Sequence, residues 1–155
     1  MAKTKLHRDV EELKRHLIEK EPTHFGARDI FTAFFGAILV GLTFTLKGLL
    51  FNVSKALTVK ELSLIILATV IVLTAEIYLI GYQRVKKKEE RKFGQFWIKR
   101  LLTYYGIALI VSASLIYIYG LHNLAADPYH VTKIVIAVSM PCAIGAAAAD
   151  LLNRY

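Results

Sequence analysis

The chain has 155 residues, 55% of them hydrophobic, a net charge of +8 and a single cysteine, Cys142. One cysteine excludes an intramolecular disulfide and a paired-thiol redox centre. Apolar residues bunched into long runs, rather than spread at helix or strand spacing, exclude an ordinary water-soluble domain.

Residues 3–20 read as an amphipathic helix. Leu6, Val10, Leu13 and Leu17 share one face, while Lys5, Arg8, Glu11, Glu12, Lys14, Arg15 and Glu19 fill the other, and Pro22 ends the pattern. Such a helix either rests on the inner membrane surface near anionic headgroups or forms a short coiled coil. Charges throughout residues 1–27 leave no apolar stretch for a cleavable signal, so the first span is expected to direct insertion. These residues are therefore assigned to a cytoplasmic amphipathic helix and linker.

Residues 28–155 are assigned to a transmembrane domain. About 20 apolar residues cross the hydrocarbon as a helix, since in lipid every backbone amide needs a partner within its own segment. Runs near 29–51, 61–82, 98–121 and 131–151 meet that criterion. The expected fold is all-α, a polytopic membrane protein whose four transmembrane helices form two hairpins.

In the first span Ala33, Ala37 and Gly41 recur every four residues, a smooth stripe for close helix contact, with Gly36 and Val40 on its flank. Lys47 is placed about one turn from the outer end, where it either snorkels to the headgroups or contacts a substrate. The turn 52–60 is short and returns the chain antiparallel. In the second span Ser63, Thr69, Thr74 and Glu76 break the apolar run, and Thr69, Glu76 and Gln83 recur at intervals of seven, which predicts an inward-facing polar edge. Glu76 is the strongest candidate for a functional residue, because an ionisable group within a span is costly. It lines a proton, ion or ligand pathway, or it forms an internal ion pair with Arg28 or Arg100; buried without a cation, it would favour proton coupling.

The stretch 82–100 carries Arg84, Lys86, Lys87, Lys88, Arg91, Lys92, Lys99 and Arg100 against Glu89 and Glu90, so it belongs in water. Together with the basic residues from Lys3 to Arg28 and with Arg154, it makes one side strongly cationic. This asymmetry predicts N and C termini in the cytoplasm, a plasma-membrane location and anionic lipid headgroups near the loop, and it argues against nucleic acid as the partner.

Phe96, Trp97, Tyr104 and Tyr105 open the third span as an aromatic boundary, and Gly106, Ala113 and Gly120 recur at seven as a packing face. Ser112 and Ser114 are expected to bond back to their own helix. His122, Asp127 and His130 in the outer turn match no metal-ligand spacing and read as solvated. In the last span Ala137, Pro141, Gly145 and Ala149 repeat every four residues, and Ala143 and Ala146 to Ala148 make a helix suited to burial among others. Pro141 predicts a kink near Ala137 and a freed carbonyl that bonds to a Ser or Thr or faces a cavity. Asp150 is expected to pair locally with Arg154.

Two echoes follow. The stretch Phe34-Phe35-Gly36-Ala37-Ile38-Leu39 resembles Tyr104-Tyr105-Gly106-Ile107-Ala108-Leu109, which suggests two hairpins related by an axis along the membrane normal. The segments Gly36 to Leu42 and Pro141 to Ala146 resemble a family of prokaryotic integral membrane proteins of unknown function. That resemblance implies a membrane fold and no particular chemistry.

Three function classes are open to such a chain. One is an oligomeric channel or transporter for an ion or small solute, with Glu76, Thr69, Thr74, Lys47, Arg100 and Asp150 as candidate pathway residues. The second is an anchored scaffold that recruits a cytoplasmic partner or anionic lipid through the N-terminal helix and basic loop. An enzyme is not expected, because no HExxH, paired-carboxylate or Ser-His arrangement is visible, and no cofactor is implied.

Overall fold

The structure, a computed structural model, describes residues 26–81, 93–125 and 127–154. The amphipathic segment 3–20, Gln83 and the basic residues from Arg84 to Lys92 lie outside them. Among the described residues five α-helices follow in order: α1 (Ala27–Leu46), α2 (Leu49–Ala56), α3 (Val59–Glu76), α4 (Phe93–Ile118) and α5 (Pro128–Arg154). A π-turn, Ile77–Gly81, extends α3, and a 3₁₀ turn, Leu121–Leu124, follows α4. Among the described residues four helical stretches are long and apolar enough to cross a bilayer: Ala27–Leu46, Val59–Leu79, Trp97–Ile118 and Pro128–Leu152. "Inner" denotes the side on which α1 begins and α5 ends.

Local chemistry explains the helix ends. The Asp29 carboxylate accepts the Gly26 N–H at 2.7 Å, fixing the first turn of α1 and placing a negative charge at its positive pole. Gly48 stops the outer end at φ 65°, a conformation that costs a side-chain-bearing residue strain, so the first span ends at Leu46 and not near residue 51. Lys47 is then the residue that caps α1, exposed at the end of the span and not one turn inside it. The expected short turn contains a helix of its own, α2. At the start of α3, Thr58 and Glu61 form a reciprocal cap: the Glu61 carboxylate accepts from Thr58 N at 2.6 Å and from Thr58 Oγ1 at 2.9 Å.

The packing centre is α5. Buried residues make up 61% of its span against 22% for the second span, because its small side chains admit neighbours on several sides. The helices α1, α4 and α3 all pack on α5, and α2 lies across its outer part. Ala33, Ala37, Ala143, Ala146 and Ala147 are fully enclosed. Large apolar side chains, including Phe31, Phe35, Leu39, Leu67, Ile71, Leu102 and Ile110, point outward, an arrangement suited to lipid and costly in water.

The closest approach is between α1 and α5. A Cβ on Gly145 would fall 2.6 Å from Gly36 O and 2.7 Å from Val40 Cγ2. A Cβ on Gly36 would collide with Gly145 O and the Ala149 methyl, and one on Gly41 with Cys142 Sγ. Gly36, read from sequence as flanking, is at the centre of this contact. The expected pairing of the first span with the second does not form, since α1 and α3 share no packed interface and each packs on α5 instead. The α4–α5 pair does pack as a hairpin.

The internal echo has no counterpart in packing. Gly36 meets Gly145, whereas a Cβ on Gly106 would meet nothing, and the buried face of α4 runs through Tyr104, Ile107, Ala108, Val111, Ser112, Leu115 and Ile116. Gly106 and Ala113 are half-exposed beside that face, so they do not pack this chain's own helices closely. Pro141 sits inside an unbroken α5, and Ser139 Oγ donates to Ile136 O at 2.8 Å one turn away.

Candidate functional site

Inside the spans, among the described residues, Thr45 Oγ1 and Glu76 Oε2 are enclosed oxygens without a hydrogen-bond partner, and of the two only Glu76 is acidic. At the inner end, Arg100 (3% exposed), Tyr104 and Asp150 (1% exposed) are buried together with Asp29. Tyr104 Oη donates to Asp150 Oδ2 at 2.5 Å, joining α4 to α5. None of these four side chains lacks a partner. Tyr104, expected at the headgroup boundary, is instead fully enclosed, and Asp150, expected to pair within its own helix, is engaged across the bundle.

The two threonines of α3 are also satisfied. Thr69 Oγ1 donates to Ile65 O at 2.7 Å, and Thr74 Oγ1 donates to Val70 O at 2.7 Å while accepting from Trp97 Nε1 at 2.9 Å. Thr74 is therefore the clasp between α3 and α4. Lys47 lies near the opposite membrane face from the inner layer.

Glu76 differs from all of these. Its Oε2 is enclosed and has no hydrogen-bond partner, and among the described residues no ion pair with Arg28 or Arg100 forms. Two placements locate it. Successive helical residues are rotated by about 100°, so Glu76 stands nearly opposite Thr74, the residue that α4 holds. On α5, Ala148 stands nearly opposite Asp150, which α4 also holds. Both Glu76 and Ala148 therefore face away from α4, toward the side where α1 and α3 fail to meet. Half-buried residues mark that side: Ile65, Val72 and Glu76 on α3, and Pro141, Ile144 and Ala148 on α5. These residues outline a cleft along α5 between α1 and α3, which share no packed interface, while α2 packs on α1 and α5.

Sequence reasoning identified Glu76 from its position in an apolar run. It missed the cleft, which depends on α1 choosing α5 over α3, and it missed the break from α-helix to π-turn immediately after Glu76. A π-turn widens the backbone ladder and frequently accompanies functional residues.

A second polar contact lies at the outer end and was not expected. His130, read as solvated, is buried, and so is Ser54. The Ser54 hydroxyl donates to Phe51 O at 2.7 Å, so at 3.1 Å the His130 Nε2–H donates to Ser54 Oγ. The His130 ring also lies 5.4 Å from that of Phe51, and Asp127 Oδ1 accepts the His130 backbone N–H at 2.6 Å. This contact clamps α2 onto α5. His122, also read as solvated, is half-buried and stacks on Tyr117 at 4.6 Å. Among the described residues no group of His, Cys, Asp and Glu is placed to hold a metal ion.

The sequence profile of a family described as "putative integral membrane protein", DUF2391, matches residues 1–152. No curated protein and no solved structure matches the chain.

Proposed function

The chain belongs to the DUF2391 family of membrane proteins, and from that premise we propose that it is a small channel or transporter that moves an ion or small solute past Glu76. One observation carries this reading: Glu76 Oε2 is enclosed within a span and lacks a partner, although the buried polar residues at the inner end all have theirs. A carboxylate in that position is costly to keep, and a structural role would normally come with a cation or a donor. The centre of the bundle is filled by Ala143, Ala146 and Ala147, so the path runs beside α5, along the cleft, and not through the middle of four helices.

The reading includes a plasma-membrane location with cytoplasmic termini, from the charge asymmetry, and anionic lipid held near the basic loop. It also includes a homo-oligomer. The half-exposed Gly106 and Ala113 of α4 are not covered closely by another span, and a second copy could approach there. Oxidative crosslinking of Ala113→Cys in native membranes should give a covalent dimer; only monomer at every oxidant level would remove the oligomer from the reading.

The test of transport is flux into liposomes holding the purified protein, across a panel of protons, alkali cations and small amines. Glu76→Gln is expected to abolish or sharply alter the flux. Flux that is identical in wild type and variant for every species would sink the proposal.

A further inference from the structure

We propose that the cleft between α1 and α3 admits its substrate sideways from the bilayer, and that this substrate is an amphipathic cation: an amine or quaternary onium group on an apolar body. The inference rests on the reading of Glu76 as a pathway residue and adds the chemical class that the residue recognises. Three features of the cleft support it.

The first is its walls. Ile65 and Val72 on α3 and Pro141, Ile144 and Ala148 on α5 present hydrocarbon, so a small hydrated ion would have to shed its water against groups that cannot replace it. A cation whose charge is spread over an apolar body has little hydration to lose. The second is charge. Glu76 is the ionisable side chain on the cleft edge of α3, and its enclosed oxygen has no partner to compete with a ligand. The third is the freed acceptor on α5: Pro141 has no N–H, so the Ala137 carbonyl lacks its helical donor, about three turns outward of Ala148 on the same helix. Two acceptors in an apolar slot suit a ligand with a cationic head and a long hydrocarbon flank.

The opening supports sideways entry. Since α1 and α3 share no packed interface, they do not close this side of α5 against each other, while α2, clamped by Ser54 and His130, packs on the outer part of α5. A solute dissolved in the bilayer then approaches Glu76 between α1 and α3.

The experiment measures binding of tetraphenylphosphonium to the full-length protein in detergent, by equilibrium dialysis and by the emission of Trp97, the sole tryptophan, whose indole is bonded to Thr74 two residues from Glu76. Wild type should bind saturably, and the equally apolar anion tetraphenylborate should not. Glu76→Gln should weaken phosphonium binding by about 30-fold or more, the cost of removing one member of a desolvated charge pair. Ala148→Leu, which narrows the cleft and leaves the carboxylate in place, should weaken it by about tenfold.

Should Glu76→Gln fail to fold, Ala148→Leu decides the question alone. Equal binding of phosphonium and borate, undiminished binding in both variants, or no saturable binding to wild type would each overturn the proposal. So would a second copy seated over the cleft, seen as crosslinking through Ala148→Cys that phosphonium does not prevent. Glu76-dependent flux of protons or alkali cations without phosphonium binding would remove this substrate class and leave the transport function standing. Absence of both would remove both.

Discussion

Tyr104 and Asp150 show how a single bond in a membrane interior constrains its neighbours. Both are enclosed, the phenol is held at 2.5 Å, and Arg100 is buried one turn inward on the same helix as Tyr104. Removing the hydroxyl leaves a carboxylate oxygen short of a donor where water is scarce. Tyr104→Phe is therefore expected to lower stability by about 1–2 kcal/mol, read as a reduced thermal midpoint in detergent. Thr74→Val should shift the emission of Trp97, because the indole loses its acceptor, while flux past Glu76 is retained; loss of flux would make Thr74 part of the pathway and not a clasp. His130 and Ser54 should behave as one unit. Alanine at either should cost about 1 kcal/mol, and alanine at both scarcely more than one, since the second change removes a bond already lost.

At the level of elements, the contact between α1 and α5 is set by what is missing from it. Gly36 and Gly145 bring the two backbones together, so even a methyl on either has nowhere to go without separating the helices. Gly36→Val and Gly145→Val are each expected to destabilise by about 3 kcal/mol or more, whereas Gly106→Val, at an open position, should be nearly silent in the monomer. Comparison of their thermal midpoints checks the assignment of which stripe packs. The sequence made the stripes visible but not their use. Gly41, Gly145 and Ala149 lie at the α1–α5 contact, and Ala33 and Ala37 are fully enclosed on α1, because small residues at every fourth position share one helix face whatever the partner. Gly106 and Ala113 follow a similar rule at a spacing of seven, yet face away. Periodicity states that a face is smooth; only the three-dimensional competition among neighbours decides which smooth faces meet. The same limit explains the histidines. His130 reads as a loop residue until α2 is known to fold back over α5, and nothing in a stretch of eight residues announces that it will.

For the whole molecule, the presence of four helices long and apolar enough to span a bilayer was legible, since hydrocarbon thickness sets the length and composition such a helix needs. The arrangement was less so, because helices adjacent in the chain need not be adjacent in the bundle, and α3 reaches the others mainly through α5. The placement of charge makes a topological prediction: a cysteine in place of Lys55 on α2 should react with a membrane-impermeant maleimide in intact cells, and one in place of Gly94 only after the membrane is opened. The reverse pattern would invert the protein.

One further consequence concerns the order of synthesis. The helix on which the other described spans close is made after them, so the earlier three must wait in the bilayer with glycines and buried acids facing lipid or a chaperone until it arrives. A chain stopped before Pro128 should be inserted but loosely associated, and degraded far faster than the full-length protein. Supplying the final segment in trans should rescue it, which would make late assembly a natural checkpoint in the life of this protein.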